Sequence, residues 1–147
     1  MSDIFFWSRH GEYGFLSNFW RAPIKVDSVR YPTTEHYYQA GKTLIPEEQN
    51  MIRTLRWPGE AKSAGYHVTL WEGWEKAKED IMLTALRAKF TQHLTLKRKL
   101  LDTEDEVLHE DSPWDKYWGY AGGKGKDRLG VLLMKIREEL RSEANNH

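Results

Sequence analysis

Residues 74–92, with the sequence WEKAKEDIMLTALRAKFTQ, carry the strongest helical pattern in the chain. Apolar side chains recur along this segment at intervals of three and four residues, on one broad face: Trp74, Ala77, Ile81, Met82, Ala85, Leu86, Ala88 and Phe90. The segment therefore predicts a long amphipathic helix whose apolar face is buried.

Shorter helices are predicted on both sides of this segment, over residues 35–44, 46–55, 58–66, 95–101 and from Asp127 onward. Short strands are predicted over residues 4–8, on either side of the turn at Asp27-Ser28 within 22–31, and over 106–110. The chain contains no linker, repeat or low-complexity segment. We therefore predict a single helix-rich α+β domain over residues 1–147 with a few short strands.

The composition excludes several classes of protein. The 147 residues include 22 Lys plus Arg and 22 Asp plus Glu, so the formal charge is zero and a basic nucleic-acid coat is excluded. The chain has no cysteine, which excludes disulfides, thiolate metal sites and a cysteine nucleophile. Its apolar runs are far shorter than a membrane span. We expect a cytoplasmic protein without a membrane partner.

Three polar residues of the predicted helix over 35–44 share one face. Glu35, Gln39 and Lys42 follow one another at i, i+4 and i+7, so the carboxylate and the amine are expected about 10 Å apart along the axis. A carboxylate can act as general acid or base, and an amine whose pKa is lowered by burial can attack a sugar carbonyl. A solvated polar face is the alternative interpretation, and the spacing alone favours it.

Aromatic rings surround a lone carboxylate in the segment Trp114-Asp115-Lys116-Tyr117-Trp118-Gly119. Such a set can hold a flat heterocycle beside an acid. The alternative is that the rings belong to the core and that Asp115 caps a turn.

Glycines and lysines then lead into the last helix. Lys124 and Lys126, together with backbone N–H groups near a helix start, can hold a phosphate, although a mobile surface loop explains the pattern equally well. The six histidines form no metal-binding pattern, so we expect no metal and no cofactor.

Several separate motifs resemble those of the YbiA-like family, also called NADAR for NAD and ADP-ribose. They are FLSNF at 15–19, YPTTEHYYQAGK at 31–42, Trp74, AKF at 88–90, Asp115 with WG at 118–119, GKGK at 123–126, RLG at 128–130 and LM at 133–134. Their order agrees with the family from Phe6 to Leu140. The resemblance implies a YbiA-like fold.

The resemblance also implies hydrolysis of a bond between ribose C1′ and an exocyclic nitrogen. Family members are described as cleaving ribosylamino-pyrimidine phosphates of riboflavin synthesis, and others as removing ADP-ribose from guanine in nucleic acid. The expected partner is thus a small ribose-phosphate or ADP-ribose molecule, with nucleic acid only as a modified substrate. A third alternative is a sensor that binds ADP-ribose or NAD without catalysis.

By resemblance, Glu35, Trp74 and Asp115 match family positions tied to activity, and Lys42 matches a lysine proposed to capture the opened sugar as a Schiff base. We therefore expect Lys42 as nucleophile, Glu35 as acid or base, and Asp115 as a second proton carrier or an orienter of the ribose hydroxyls. Trp74 is expected to stack on the base, and further contacts are expected from Ser8, Asn18, Gln39, Trp118, Gly119, Lys124 and Lys126. Lys62 is a competing lysine. Thr43 departs from the family, in which phenylalanine often follows the lysine, so the packing behind Lys42 is expected to differ.

Overall fold

The computed structural model describes residues 2–146, and these contain six α-helices and four short β-strands. The strands are β1 (Asp3–Phe6), β2 (Ile24–Val26), β3 (Val29–Tyr31) and β4 (Val107–Glu110). The helices are α1 (Thr34–Ala40), α2 (Pro46–Arg53), α3 (Pro58–Gly65), α4 (Trp74–Gln92), α5 (Leu94–Leu101) and α6 (Arg128–Asn145). The α+β prediction is confirmed.

The elements divide into two compact units. One unit comprises Arg21–Gln92, and the other comprises the described residues up to Trp20 and from His93 onward. None of the helices within residues 2–146 is long and apolar enough to cross a membrane.

The unit Arg21–Gln92 is built around α1. This helix contacts α2, α3 and α4, while β2 and β3 form an antiparallel hairpin that packs on α4. Ala40 of α1 packs with Ile52 of α2 and Ala61 of α3, and all three side chains are buried. A helix of only seven residues is not stable by itself in water, so α1 depends on this packing for its stability.

The other unit is built around a two-stranded parallel sheet. Strand β1 pairs with β4 in the register Asp3 to Val107 through Phe6 to Glu110. Helix α6 packs against β4 and α5. Its leucines recur at helical spacing, and Leu129, Leu132, Leu133 and Leu140 are all buried.

The elements follow the sequence predictions closely, with one consequential difference. Helix α4 has the predicted bounds, and α2 and α3 agree within two residues. The helix expected over 35–44 instead ends at Ala40, so the expectation that Lys42 lies on a helical face is wrong. Gly41 caps the helix, and its N–H reaches the carbonyls of Tyr37 and Gln39. The helix ends there because glycine is a poor helix former and Pro46 lies shortly beyond.

Candidate active site

Helix α1 presents a bonded carboxylate and amide. Gln39 Nε2 donates a hydrogen bond of 2.5 Å to Glu35 Oε2, one helical turn away. Both side chains are buried, with 8% exposed for Glu35 and 4% for Gln39. The carboxylate is therefore held in one orientation rather than solvated, which argues against the solvated polar face.

The start of α1, the helix that carries Glu35, is fixed by Thr33 and His36. The hydroxyl of Thr33 accepts a bond of 3.1 Å from the backbone N–H of His36, so Thr33 is the N-cap. The His36 ring lies 2.7 Å from the same hydroxyl and 2.9 Å from the carbonyl oxygen of Leu55. Because a carbonyl only accepts, Nε2 carries the proton and Nδ1 accepts from Thr33. His36 is thus a positioning residue of the helix.

Lys42 lies in the turn after α1, and its amine is half-buried between two tyrosine rings. Nζ is 5.9 Å from the ring centroid of Tyr38 and 5.4 Å from that of Tyr66. The Tyr38 ring is buried, whereas 72% of Tyr66 is exposed. The amine is therefore bounded by a fixed ring on one side and by an exposed ring on the other.

Gly65, the last residue of α3, brings the α1 side chains and the lysine together. A Cβ at this position would lie 3.4 Å from Lys42 Nζ and 2.8 Å from Gln39 Cδ, and it would overlap Gln39 Oε1. Both side chains therefore reach the same glycine. Gln39 Oε1 is buried there without a hydrogen-bond partner among the described residues.

The surroundings of Lys42 lower the pKa of its amine below the usual range. Burial is the largest cause, and the positive charges of Lys62 and Lys78 act in the same direction. The negative charge of Glu35 acts in the opposite direction and favours the ammonium. An amine with a lowered pKa is neutral, and hence nucleophilic, at a lower pH than an ordinary lysine.

Lys62, the competing lysine, is a neighbour of the same cluster. It lies on α3, and its charge acts on Lys42. Lys78 on α4 is bound to Glu75 at 2.7 Å. Both lysines are half-buried, and Lys42 is the one whose amine reaches Gly65. The assignment of Lys42 as the reactive amine stays a prediction.

Trp74 is the first residue of α4 and is 4% exposed. Its ring packs edge-on against Tyr38, with ring centroids 5.0 Å apart. Trp74 thus supports the same tyrosine that borders Lys42. The stacking of Trp74 on a substrate base stays a prediction.

Asp115 belongs to the other unit, where it organises a turn. Its Oδ1 accepts bonds of 3.0 Å from Tyr117 N and 2.9 Å from Trp118 N. The backbone N–H of Asp115 in turn donates to Ser112 Oγ at 3.2 Å. One carboxylate oxygen of Asp115 therefore caps the turn, which is the alternative interpretation given for this residue above. A catalytic role for Asp115 stays a prediction.

The remaining predicted residues also belong to that unit. Trp118 is half-buried and packs edge-on against Tyr117, with ring centroids 4.9 Å apart. Gly119 is buried where a Cβ would lie 2.6 Å from the carbonyl oxygen of Asp115. Lys124 and Lys126 are exposed.

Two N-terminal residues were also expected to contact the substrate. Ser8 adopts a positive φ of 52° after β1 and is half-buried. Asn18 follows a short 3-10 turn and is 7% exposed. Their contacts to a substrate stay predictions.

No group of three or more histidine, aspartate or glutamate side chains within residues 2–146 is arranged to hold a metal ion. The expectation of a metal-independent protein stays a prediction.

Sequence reasoning missed Gly65 and Tyr66, and it did not foresee the hydrogen bonds of Trp71 to the turn that carries Lys42. A glycine at the end of a helix is ordinarily explained as a cap, so its contact with Gln39 and Lys42 had no local signal. Trp71 donates from Nε1 to Gly41 O at 2.9 Å and from its backbone N–H to Lys42 O at 3.1 Å. These bonds join positions about thirty residues apart, which no local pattern reveals.

The NADAR domain family model matches residues 5–141. The chain belongs to the NADAR family. It is 46% identical over 143 residues to the N-glycosidase YbiA of Escherichia coli, a match that covers 95% of this chain and 89% of that protein. The NMR structure of the E. coli protein YbiA superposes with a TM-score of 0.91 at 44% identity, covering 99% of this chain and 89% of the other.

A second relative carries a different description. The riboflavin biosynthesis protein of Vibrio vulnificus is 34% identical over 144 residues, covering 96% of this chain but 39% of that protein. The family resemblance and the YbiA-like fold expected from the motifs are thus confirmed. The family match spans both compact units, and the single domain over 1–147 stays a prediction.

Proposed function

We propose that this protein is an N-glycosidase that hydrolyses the C1′–N bond of ribosylamine-type substrates, with ribosylamino-pyrimidine 5′-phosphates as the first substrate class. The observation that carries the proposal is the half-buried amine of Lys42, which lies at Gly65 beside the bonded pair Glu35 and Gln39. Membership of the NADAR family and 46% identity to an N-glycosidase over most of the chain support it.

The reaction proceeds by exchange of one imine for another. The sugar ring of a ribosylamine opens to give an imine between C1′ and the nitrogen of the base. The neutral amine of Lys42 adds to C1′ to give an aminal, and the C1′–N bond to the base then breaks as the imine between C1′ and Nζ forms. Glu35 carries the two protons of Nζ, one in each of these steps, to the nitrogen of the base, which leaves as an amine. Water then hydrolyses the lysine imine, which releases ribose phosphate and restores the amine.

The roles predicted for the other residues are part of the same proposal. Asp115 acts as a second proton carrier or orients the ribose hydroxyls, and Trp74 stacks on the base. Ser8, Asn18, Trp118 and Gly119 contact the sugar and the base, and Lys124 and Lys126 hold the phosphate. Gln39 bonds to Glu35, so it is assigned here as a positioning residue for the carboxylate. The cytoplasmic location expected from the sequence belongs to the same proposal.

The proposal is tested by trapping the lysine imine with borohydride. Wild-type protein incubated with a ribosylamino-pyrimidine 5′-phosphate should release the base and, with borohydride, gain the mass of the reduced sugar on Lys42. Lys42→Ala should abolish the adduct and lower kcat by at least about a thousandfold, because the nucleophile is lost. Lys62→Ala is the matched control and should keep the adduct. Turnover is followed by chromatography of the released base.

Two outcomes would overturn parts of this proposal. An adduct that persists in Lys42→Ala and disappears in Lys62→Ala would move the nucleophile to Lys62. Cleavage of ADP-ribosylated guanine alone would change the substrate class, and binding of ADP-ribose without any cleavage would favour a sensor. Activity should survive EDTA, and its loss on chelation would contradict the metal-independent mechanism.

A further inference from the structure

The turn that carries Lys42 is held through its carbonyl groups by hydrogen-bond donors from Trp71 and Gln49. Gly41 O and Lys42 O accept from the indole Nε1 and the backbone N–H of Trp71, at 2.9 and 3.1 Å. Thr43 O accepts from Gln49 Nε2 at 2.8 Å. Three consecutive carbonyls of a turn are thus bonded to groups outside it, which fixes the backbone on both sides of the lysine.

Glu48, on the first turns of α2, joins the two segments that make these bonds. Thr43 Oγ1 donates to Glu48 Oε1 at 2.5 Å. Thr69 donates its backbone N–H to Oε1 at 3.0 Å and its hydroxyl to Oε2 at 3.1 Å. Thr43 directly follows Lys42, and Thr69 lies two residues before Trp71. One carboxylate therefore binds both the turn and the segment that clamps it.

Thr43 is suited to this link because its side chain is fully buried and its hydroxyl has two partners. Besides donating to Glu48, it accepts the backbone N–H of Ile45 at 3.1 Å. A phenylalanine, which often follows the lysine in the resembling family, has no hydroxyl for either bond. The threonine that departs from the family at this position therefore makes two hydrogen bonds that a phenylalanine side chain could not make.

We propose that Glu48 is a positioning residue for Lys42, acting through Thr43 and Thr69 to keep the amine at Gly65 beside Glu35 and Gln39. This inference rests on the proposed function, because it concerns the amine to which catalysis is assigned. Glu48 is bonded to Thr43 and Thr69, and it acts on the amine through them. Its contribution lies in the preformed geometry of the turn, where a displacement of about 1 Å costs as much as a hundredfold in rate.

The charge state of Glu48 is consistent with this role. The hydrogen bond from Thr43 is the largest cause that lowers the pKa of the Glu48 carboxyl, and the bonds from Thr69 add to it. The carboxylate therefore stays charged and accepting at neutral pH. A glutamine here keeps the size of the side chain but replaces one acceptor oxygen with a donor.

The experiment compares Glu48→Gln with Glu47→Gln, a matched change at the neighbouring exposed glutamate of the same helix turn. The readout is the rate at which the borohydride-trapped adduct forms, together with KM and the pH profile of kcat. Glu48→Gln should slow adduct formation by at least about tenfold, with KM changed less than about threefold and the rising limb of the pH profile displaced. Glu47→Gln should match the wild type.

A second pair of variants separates positioning from general destabilisation. Thr43→Val removes the hydroxyl at nearly constant volume and should slow adduct formation like Glu48→Gln. Thr43→Ser keeps the hydroxyl and should restore the wild-type rate. Wild-type rates and pH profiles in both Glu48→Gln and Thr43→Val would overturn the proposal.

A measurement without substrate distinguishes failure of this inference from failure of the proposed function. The modification rate of Lys42 by acetic anhydride, read by peptide mass spectrometry as a function of pH, reports the setting of the amine directly. Glu48→Gln should change the modification rate of Lys42 by at least about threefold at a given pH, and Glu47→Gln should leave this rate unchanged. An unchanged Lys42 profile overturns the positioning role, whereas a changed profile without any trapped adduct in the wild type overturns only the assigned reaction.

Discussion

At the scale of single residues, the site depends on position 65 being a glycine, which has no side chain. Gly65 ends α3 where the Gln39 amide and the Lys42 amine meet, and a Cβ would overlap Gln39 Oε1. The amide itself is bonded to Glu35 at 2.5 Å. A methyl group at position 65 would therefore push the amide away from the carboxylate it orients. The overlap would also cost stability, because the amide is buried and bonded, and the better helix propensity of alanine offsets only part of that cost.

We predict that Gly65→Ala lowers kcat by at least about tenfold and lowers the free energy of unfolding by about 1–3 kcal/mol. The control is Gly59→Ala on the same helix, where a Cβ meets nothing within 4 Å. This control should keep wild-type activity. Steady-state kinetics and urea unfolding on both variants check the prediction. Unchanged turnover in Gly65→Ala would show that the Gln39 amide does not matter for the rate.

At the scale of elements, α1 depends on its cap and its packing. The helix has only seven residues, and its start is fixed by the fully buried Thr33. The hydroxyl of Thr33 accepts from the His36 N–H and donates to the ring that also bonds Leu55 O. Burial is the largest influence on the pKa of His36 and lowers it, which keeps the ring neutral. Thr33, His36 and the segment that follows α2 are therefore joined by one set of hydrogen bonds.

Removing the Thr33 hydroxyl should destabilise the protein. Thr33→Val keeps the volume but leaves the His36 N–H and ring nitrogen without their partner, and we expect a loss of about 1–2 kcal/mol in the free energy of unfolding. Urea unfolding monitored by tryptophan fluorescence measures it. Thr33→Ser retains the hydroxyl and should lie closer to the wild type. Equal losses in the two variants would assign the effect to packing instead of the cap.

At the scale of the whole molecule, the stability should depend on pH through His109 of β4. Its Nδ1 lies 2.6 Å from Asp127 Oδ2, and its Nε2 lies 3.0 Å from Asp3 Oδ2. Burial is the largest single influence on the pKa of His109 and lowers it, but the hydrogen bonds and charges of Asp127 and Asp3 together outweigh burial. The pKa is therefore raised above the ordinary value of 6.5. The charged ring favours the folded state.

The pH window follows from the direction of this shift. A group whose pKa is higher in the folded state contributes its full stability below the unfolded value and loses it as the pH rises through the folded value. The stability difference between the wild type and His109→Gln should thus be largest near pH 6 and shrink toward pH 9. Urea titrations across this range measure it. His67→Gln, at an exposed histidine, is the control, and a constant difference for His109→Gln would contradict the prediction.

The sequence predictions were accurate for features set by residues close together in the chain. They were less accurate where the structure depends on more distant residues. Periodicity and prolines located α2, α3 and α4 within two residues, since these signals are local. The hairpin around Asp27-Ser28 was also predictable, and both residues adopt positive φ. The end of α1 was placed four residues too late, because the effect of Gly41 depends on the turn that follows it. The sequence predicted that Glu35, Gln39 and Lys42 lie together. It placed Lys42 on the helix, however, whereas the lysine lies in the turn after α1.

The amino-acid sequence by itself determined the helix-rich α+β class, the bounds of α2, α3 and α4 within two residues and, through its motifs, the NADAR family. Only the tertiary structure decided that Lys42 lies in a turn held by Trp71 and Gln49, that Gly65 joins it to Gln39, and that Glu48 ties Thr43 to Thr69. The physical reason is that helices and turns arise from neighbours in the chain. Burial, hydrogen bonding and the charge state of an amine depend on residues that come together only when the chain folds.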